Sequence, residues 1–395
     1  WLKPFGSKMD WFNAVFGFQE GSYSKTKRSF ALEKDGDKYE LISKANGKRF
    51  HVGTFEWPSV EELGAAFPLV GNVPTLDGGL VFSNTVGDVR KLHRDEANSG
   101  SVFQVASQFN CLEMAEPHLR PEDGVTIYAN DRTQGPACAL ACPAATVFRN
   151  FFVNGKGQAG KNQLDMLRDV AEAMGNRKHK YWEMRNGYAL PLTPWSLKEL
   201  GARLLSDKAL SQQARDKLRV GIHWSTDVLD CSHRVCQVYC SALPVAYARG
   251  VPSADWEPFA TLVLEGAYDA TLAAAALLSR RRSKRVTVYL TALGGGSFGN
   301  ETRWIAAALG KILERYGGEA LDVKLVHYMA IPDGGPFLEL EQRLALKQES
   351  NASGQVRKRP SGSQQEPNAS RQVRKRPSGP SSNVPARRIR TKRGI

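Results

Sequence analysis

Two hydrophobic rhythms divide the chain. Near the amino end, MDWFNAVFGF has helical spacing, and FALEKDGDKYELISKANGKRFHVGTFEW alternates apolar and polar residues as half-buried strands do. The KDGDK and ANGKR stretches inside it are Asp-Gly and Asn-Gly hairpin turns. In PSVEELGAAF, Ser59 stands three residues before Glu62 and just after Pro58, which predicts a capped helix start. Residues 1–70 are therefore expected to form a small α+β module.

From Gly79 longer apolar runs alternate with helical stretches. GLVFSNTVGDV, SVFQVASQF, GVTIYA, LRVGIHWSTDV, VCQVYCSALPVAYA, RVTVYLTAL and ALDVKLVHYMA are predicted strands. KNQLDMLRDVAEAMG, SLKELGARLLSDKALSQQARDKL, DWEPFATLVLEGAYDATLAAAALLSRRR and ETRWIAAALGKILERYG are predicted helices. This alternation predicts an α/β domain over 79–345, three layers with a mixed, mostly parallel sheet between helices. Strand RVTVYLTAL, a glycine loop, a helix and strand LDVKLVHYM should make one right-handed βαβ crossover.

Beyond Leu346 the apolar pattern stops. NASGQVRKRPSG at 351–362 and NASRQVRKRPSG at 368–379 form an imperfect duplication, rich in Pro, Ser, Gln and Arg. A disordered tail over 346–395 is expected, since so few apolar residues cannot offset the entropy of folding. The tail also changes the reading of the charge. Residues from Asn351 carry 12 Lys or Arg and one acid, leaving the first 350 residues at net +3 out of a total of +14. The body alone therefore gives no reason to invoke nucleic acid. The tail suits nucleic acid, an import receptor or a solvated extension, and a nuclear or cytoplasmic setting is expected.

The 42% hydrophobic and 24% charged content fits a globular protein, and no run of about 18 apolar residues predicts a membrane span. The chain begins at Trp1, as a processed or truncated product would. Six cysteines in this length do not make a disulfide framework. Cys231, His233, Cys236 and Cys240 raise the question of zinc. Their spacing matches no paired knuckle, and Cys236 and Cys240 fall in an expected buried strand, so reduced core thiols and no metal are expected.

The candidate chemistry centres on Gly294, Gly295, Gly296, Ser297, Phe298, Gly299 and Asn300, between a strand and a helix beginning near Glu301. Glycines let backbone N–H groups approach an anion, and the helix adds its positive end; a plain flexible turn is the alternative the residues alone leave open. No G-K-[ST] follows, so it is not the Walker loop.

Together with the preceding helix and strand, this segment resembles the carboxyl-terminal part of macrodomains, particularly the poly(ADP-ribose) glycohydrolase-like branch. The resemblance implies that the loop holds the diphosphate of ADP-ribose and that Phe298 packs against the distal ribose. Upstream, VGDVRKLHRDEANSGSVFQVASQFN looks like the macrodomain opening. By that likeness Asp88 accepts from the adenine amine and Asn110 meets the distal ribose. The two segments cover about 100 of 395 residues. The family's first Gly-Gly-Gly loop and the glycohydrolase Gln-Glu-Glu are absent; DRTQGPACALAC is the nearest analogue, with Asp131 and with Gln134 as a ligand-binding candidate. Its small residues suit either close approach to a ligand or a tightly packed helix or turn.

Removing ADP-ribose from a target requires a carboxyl group near the leaving oxygen or a held water. Glu113 and Asp131 are the candidates. The expected ligand is ADP-ribose or an ADP-ribosylated macromolecule, without a cofactor. The alternatives are a non-catalytic ADP-ribose reader and an unrelated nucleotide or phosphoester hydrolase.

Overall fold

The computed structural model describes residues 10–66 and 79–356. Twelve strands occur among them: β1 (Phe30–Asp35), β2 (Lys38–Ser43), β3 (Arg49–Gly53), β4 (Phe55–Glu56), β5 (Val81–Val86), β6 (Val102–Ala106), β7 (Trp182–Arg185), β8 (Tyr188–Pro191), β9 (Gly221–Asp227), β10 (Arg234–Cys240), β11 (Val286–Leu290) and β12 (Leu321–His327). Seven of these form the central sheet, in the order β4-β9-β10-β6-β11-β12-β5. β10, β6, β11, β12 and β5 run parallel, and β9 turns antiparallel to β10. The domain is a three-layer α/β/α with a mixed, mostly parallel sheet, as the alternation of runs predicts.

The 30-residue helix Ser253–Arg282 packs against Pro194–Ser206, Thr302–Arg315 and strand β11. Its richest 18-residue window has a mean hydropathy of 1.3, enough by length and composition for a membrane span, yet 89% of that window is buried inside the protein. Its apolarity is that of a core helix surrounded on most sides.

The amino-terminal segment does not stand apart. β1–β3 form the expected antiparallel sheet, and Ser59 and Glu62 make the reciprocal cap at 2.9 and 3.1 Å. β4, however, pairs with β9 in the central sheet, the Tyr23 hydroxyl donates to the Asn150 carbonyl at 2.6 Å, and Phe30 meets Phe152 edge to face. These apolar residues share the core of the α/β body, so the described residues up to Glu349 form one compact unit.

The stretch expected as one helix, SLKELGARLLSDKALSQQARDKL, is two, Pro194–Ser206 and Lys208–Asp216, and the helix in KNQLDMLRDVAEAMG is shorter, Arg168–Ala173. GVTIYA holds a 3₁₀ helix, Thr126–Asn130, instead of a strand. The Glu20 carboxylate accepts from the Val125 and Thr126 N–H groups at 2.7 to 3.0 Å, and the Tyr128 hydroxyl accepts from Glu113 N–H at 3.1 Å, which fixes a turn there. The expected tail boundary at 346 also shifts, because helix Pro336–Val356 continues past it, with Phe337, Leu340 and Leu344 buried. The rest of the basic tail, including both RKRP clusters, lies outside the described residues.

Candidate functional site

Because five strands are parallel, the chain leaves all of them at one edge of the sheet. Gly87 and Asp88 follow β5, Tyr328 follows β12, Thr291 opens the loop after β11, Ser107 follows β6, and Ser241 follows β10. With strands about 4.8 Å apart, the way from β5 to β6 is roughly 14 Å. Ligands of open α/β sheets lie along such an edge.

Asp88 and the glycine loop are both on this edge. Asp88 Oδ1 caps the helix Val89–Arg94 by accepting from Arg90 N–H at 2.9 Å. Between Asp88 and the loop stand Tyr328 and Met329, 70% and 82% exposed. The sequence reading did not single these two out; their only signal is an aromatic and a methionine at the end of a strand run.

The glycine loop is held by its own last residue. Asn300 is buried, and its Nδ2 donates to the carbonyls of Leu243 at 2.8 Å and Gly294 at 3.3 Å. A Cβ at Gly294, where φ is +74°, would stand 2.4 Å from Ala242 Cβ and 2.6 Å from Asn300 Nδ2. That position needs glycine. Gly296 is different: a Cβ there would meet nothing within 4 Å. The N–H groups of Gly296, Ser297 and Phe298 have no hydrogen-bond partner among the described residues. Three successive free donors thus stand ahead of the 14-residue helix Thr302–Arg315, a combination able to receive an anion. Glu301, which caps this helix, is engaged by Ser253 and by Arg303. Asn300 Oδ1 is a buried acceptor with no partner among the described residues.

At the far end of the loop three aromatic rings converge. Phe298 lies 5.3 Å from Tyr188 and 5.6 Å from Tyr247, and the two tyrosines are 5.2 Å apart. The tyrosine hydroxyls donate to the carbonyls of Met114 and Ala115, tying strand β8 and the segment after β10 to the loop after β6. Burial raises both phenol pKa values, and the charges of Asp131 and Glu116 raise them further. Asp131 therefore stands close to this cluster, with Oδ1 accepting from Thr133 N–H at 2.8 Å. Sequence periodicity carries no sign of Tyr188 or Tyr247, since their partners are more than 40 residues away in the chain.

Gln134, Asn110 and Glu113 are engaged elsewhere. β11 pairs with β6 only at Val102 and Phe103, and beyond that point the two strands part. The Gln134 amide serves the exposed β6 backbone, accepting from Ala106 N–H and donating to the Gln104 carbonyl, both at 2.8 Å. Gly135 makes this approach feasible, since a Cβ there would stand 1.8 Å from the Ala106 carbonyl oxygen.

After β6 the chain turns inward. Asn110 is fully buried, donating to Gln163 at 3.0 Å and accepting from Leu112 N–H at 3.1 Å, with Gly187 packed against it. Glu113 is also buried, and Arg149 Nη2 lies 3.0 and 3.1 Å from its two carboxylate oxygens. Arg149 stacks on Tyr239 at 3.7 Å and donates from Nε to the Cys111 carbonyl at 2.8 Å. Burial pushes the Glu113 carboxyl up to about 7 against the opposing pull of Arg149. The pair ties an irregular buried loop together and leaves Glu113 no face toward the sheet edge.

The cysteines are free thiols. Five are buried, burial raises each of those pKa values, and Cys231 is half-exposed. Among the described residues no group of three or more His, Cys, Asp or Glu side chains could hold a metal.

No protein-family model matches the sequence, and no curated protein matches it. Among solved structures, the chain is similar to poly(ADP-ribose) glycohydrolase from Thermomonospora curvata, at 13% identity over 80% of this chain and 94% of that one, with a TM-score of 0.41. It is also similar to poly(ADP-ribose) glycohydrolase from Deinococcus radiodurans in complex with ADP-ribose, at 11% identity over 74% and 94%, with a TM-score of 0.39. An alphavirus P23pro-zbd structure has 12% identity over 69% and 25%, with a TM-score of 0.30. At such TM-scores the functional reading has to rest on the site itself.

Proposed function

We propose that the carboxyl edge of the sheet binds ADP-ribose or a closely related nucleotide diphosphate. The observation that carries this reading is the glycine loop, with three successive N–H groups free and Gly296 open to space. Asp88 supports it from the β5 end as an acceptor for an adenine amine, and Phe298 supports it from the other end as a wall for the distal ribose. The edge from β5 to β6, roughly 14 Å, suits an extended dinucleotide-like ligand better than a lone phosphate.

Removal of ADP-ribose from a modified target is the finer reading. Asp131, partly exposed beside the Phe298 cluster, is the carboxylate that serves it, as a base toward water or an acid toward the leaving oxygen. The burial of Glu113 favours a second reading, a reader that docks ADP-ribosylated partners without turnover. The basic chain from residue 351 would then add an electrostatic hold on nucleic acid or an import receptor.

The test is a thermal shift and calorimetry series on the full chain with ADP-ribose, NAD and ADP. A ligand that binds only the native state raises Tm by mass action, by about 2.7 kcal/mol of stability at a hundredfold excess over Kd. ADP-ribose is expected to give the largest shift, and no shift at millimolar concentration refutes the proposal. Incubation with mono-ADP-ribosylated protein then separates the readings: release that is lost in Asp131→Asn identifies the hydrolase, and binding without release identifies the reader.

A further inference from the structure

The opposite edge of the sheet, where the parallel strands begin, holds a cavity of about 680 Å³. Its walls come from the end of β9, the starts of β10 and β11, the residues before β6, and the turn after the long helix Ser253–Arg282. Arg234, Arg282, Lys284 and Arg285 line it, together with Ser99, Ser101, Ser225 and Ser232. No Phe, Tyr or Trp is part of the lining. None of these residues belongs to the carboxyl-edge cleft.

The local fold does not need this much positive charge. A helix carboxyl terminus carries about half a negative charge, which a single cation offsets. Here Arg280, Arg281, Arg282, Lys284 and Arg285 fall within six positions. Arg280 pairs with Glu319 and Arg285 with Asp322, while Arg234 pairs with Asp227. Arg281 lies over the Trp224 ring. Neither Arg282 nor Lys284 has a carboxylate partner among the described residues.

The turn that carries these two cations is specifically shaped. Ser283 adopts the left-handed conformation at φ +48°, uncommon outside glycine, between Arg282 and Lys284. Arg282 Nη1 donates to the Gly100 carbonyl at 2.7 Å, and a Cβ at residue 100 would lie 2.7 Å from that same nitrogen. Gly100 thus admits the guanidinium to the cavity wall.

We propose that this cavity is an anion site for a compact ligand bearing several phosphate groups. Four cations against two carboxylates leave it at net +2, and serine hydroxyls can donate to phosphate oxygens. The volume lies within the range of small-molecule sites. The one aromatic ring in the lining is the His233 imidazole, which is buried and tied by Nε2 to the His93 carbonyl at 2.8 Å. No exposed ring is there to stack a base, so a nucleobase is not what the site reads. An inorganic oligophosphate and a phosphorylated sugar share the recognised chemistry.

Calorimetry on the full chain with inorganic tripolyphosphate, a hexose bisphosphate and ADP tests the proposal, with amide hydrogen exchange locating the bound ligand. Tripolyphosphate or the bisphosphate is expected to protect residues 99–101 and 282–287, and whichever binds tighter identifies the source of the phosphates. Neutralising two cations in Arg282→Gln/Lys284→Gln should weaken that binding at least ~30-fold. Gly296→Asp, at the other edge, should leave the protection of residues 99–101 and 282–287 unchanged, because it lies beyond the Debye length of about 8 Å at physiological salt. Protection confined to residues 351–395, or an affinity unchanged in the double variant, overturns the site. ADP that protects residues 99–101 and 282–287 more strongly than tripolyphosphate does overturns the assignment to a base-free ligand.

Discussion

Gly296 offers a charge test of the diphosphate cradle that leaves the fold intact. A Cβ at this position meets nothing within 4 Å, so Asp and Asn should both be accommodated, and the protein should melt within about 2 °C of wild type. Asp and Asn have the same size, and the difference between them isolates one negative charge. An aspartate here lies about 5 Å from a diphosphate held by the N–H groups of Gly296, Ser297 and Phe298. Two phosphate charges at that distance repel it by ~1.7 kcal/mol in a water-like dielectric, and by ~7 kcal/mol at an effective dielectric of 20. The smaller figure already corresponds to about 20-fold in affinity. Calorimetry with ADP-ribose should therefore show Gly296→Asp binding at least ~20-fold more weakly than Gly296→Asn. The gap should narrow in 0.5 M salt as screening shortens the reach of the charge. Equal affinities for the two variants at low salt would refute the cradle, whatever the affinity of either.

Three further outcomes are expected. Gly135→Ala places a methyl group 1.8 Å from the Ala106 carbonyl oxygen, so denaturant unfolding should show a loss of ~1–3 kcal/mol, with binding weakened through displacement of β6. Asp88→Asn keeps the cap on Arg90 N–H, so stability should change by under ~0.5 kcal/mol. The asparagine amide can also donate, so preference for ADP-ribose over its hypoxanthine analogue should fall about 10-fold in competition binding. Glu113, raised to about 7 chiefly by burial, favours its protonated form in the folded state. Its contribution is complete below the ordinary carboxylate value near 4.5 and is lost as pH rises through about 7, on the order of 3 kcal/mol between pH 4 and 7.5. Urea unfolding across that range should show a stability decline in wild type that is flattened in Glu113→Gln; parallel curves would contradict this account.

The parts of the fold written in local pattern were legible. Strand and helix alternation announced the layered sheet, and Ser59 with Glu62 marked a helix start that forms as expected. The glycine loop could be placed because its neighbours in sequence are its neighbours in space. Asn110 and Glu113 were a different matter. Nothing within SVFQVASQFNCLEM tells whether the chain leaves β6 toward the sheet edge or turns inward. That is decided by Arg149, Gln158 and Gln163, which lie 36 to 53 residues further on. Gln134 was singled out for a ligand, yet its partners are the Gln104 and Ala106 backbone, about 30 residues back. The 3₁₀ turn at Thr126–Asn130 likewise depends on Glu20, more than 100 residues away. Propensity is a local quantity, and each of these positions is settled by a distant polar partner.

Glu113 and Asp131 show why titration and position have to be weighed together in choosing a catalytic group. A carboxyl group poised near 7 is what a general acid at neutral pH requires, and on that criterion alone Glu113 would be selected. The desolvation that raises its pKa is the same burial that withholds it from any substrate, since both its oxygens face Arg149. A group raised by a closed apolar cavity differs from one raised at the wall of an open cleft, because only the second can exchange its proton with a ligand. Asp131 is partly exposed, and its charge is felt by Tyr188 and Tyr247 of the Phe298 cluster, so on the proposed reading it stays within reach of a ligand in the loop. On the proposed reading, accessibility therefore favours Asp131 over Glu113 for chemistry at this edge. Glu113 is a positioning residue whose pair with Arg149 holds the β6 loop that the two tyrosine hydroxyls lean on.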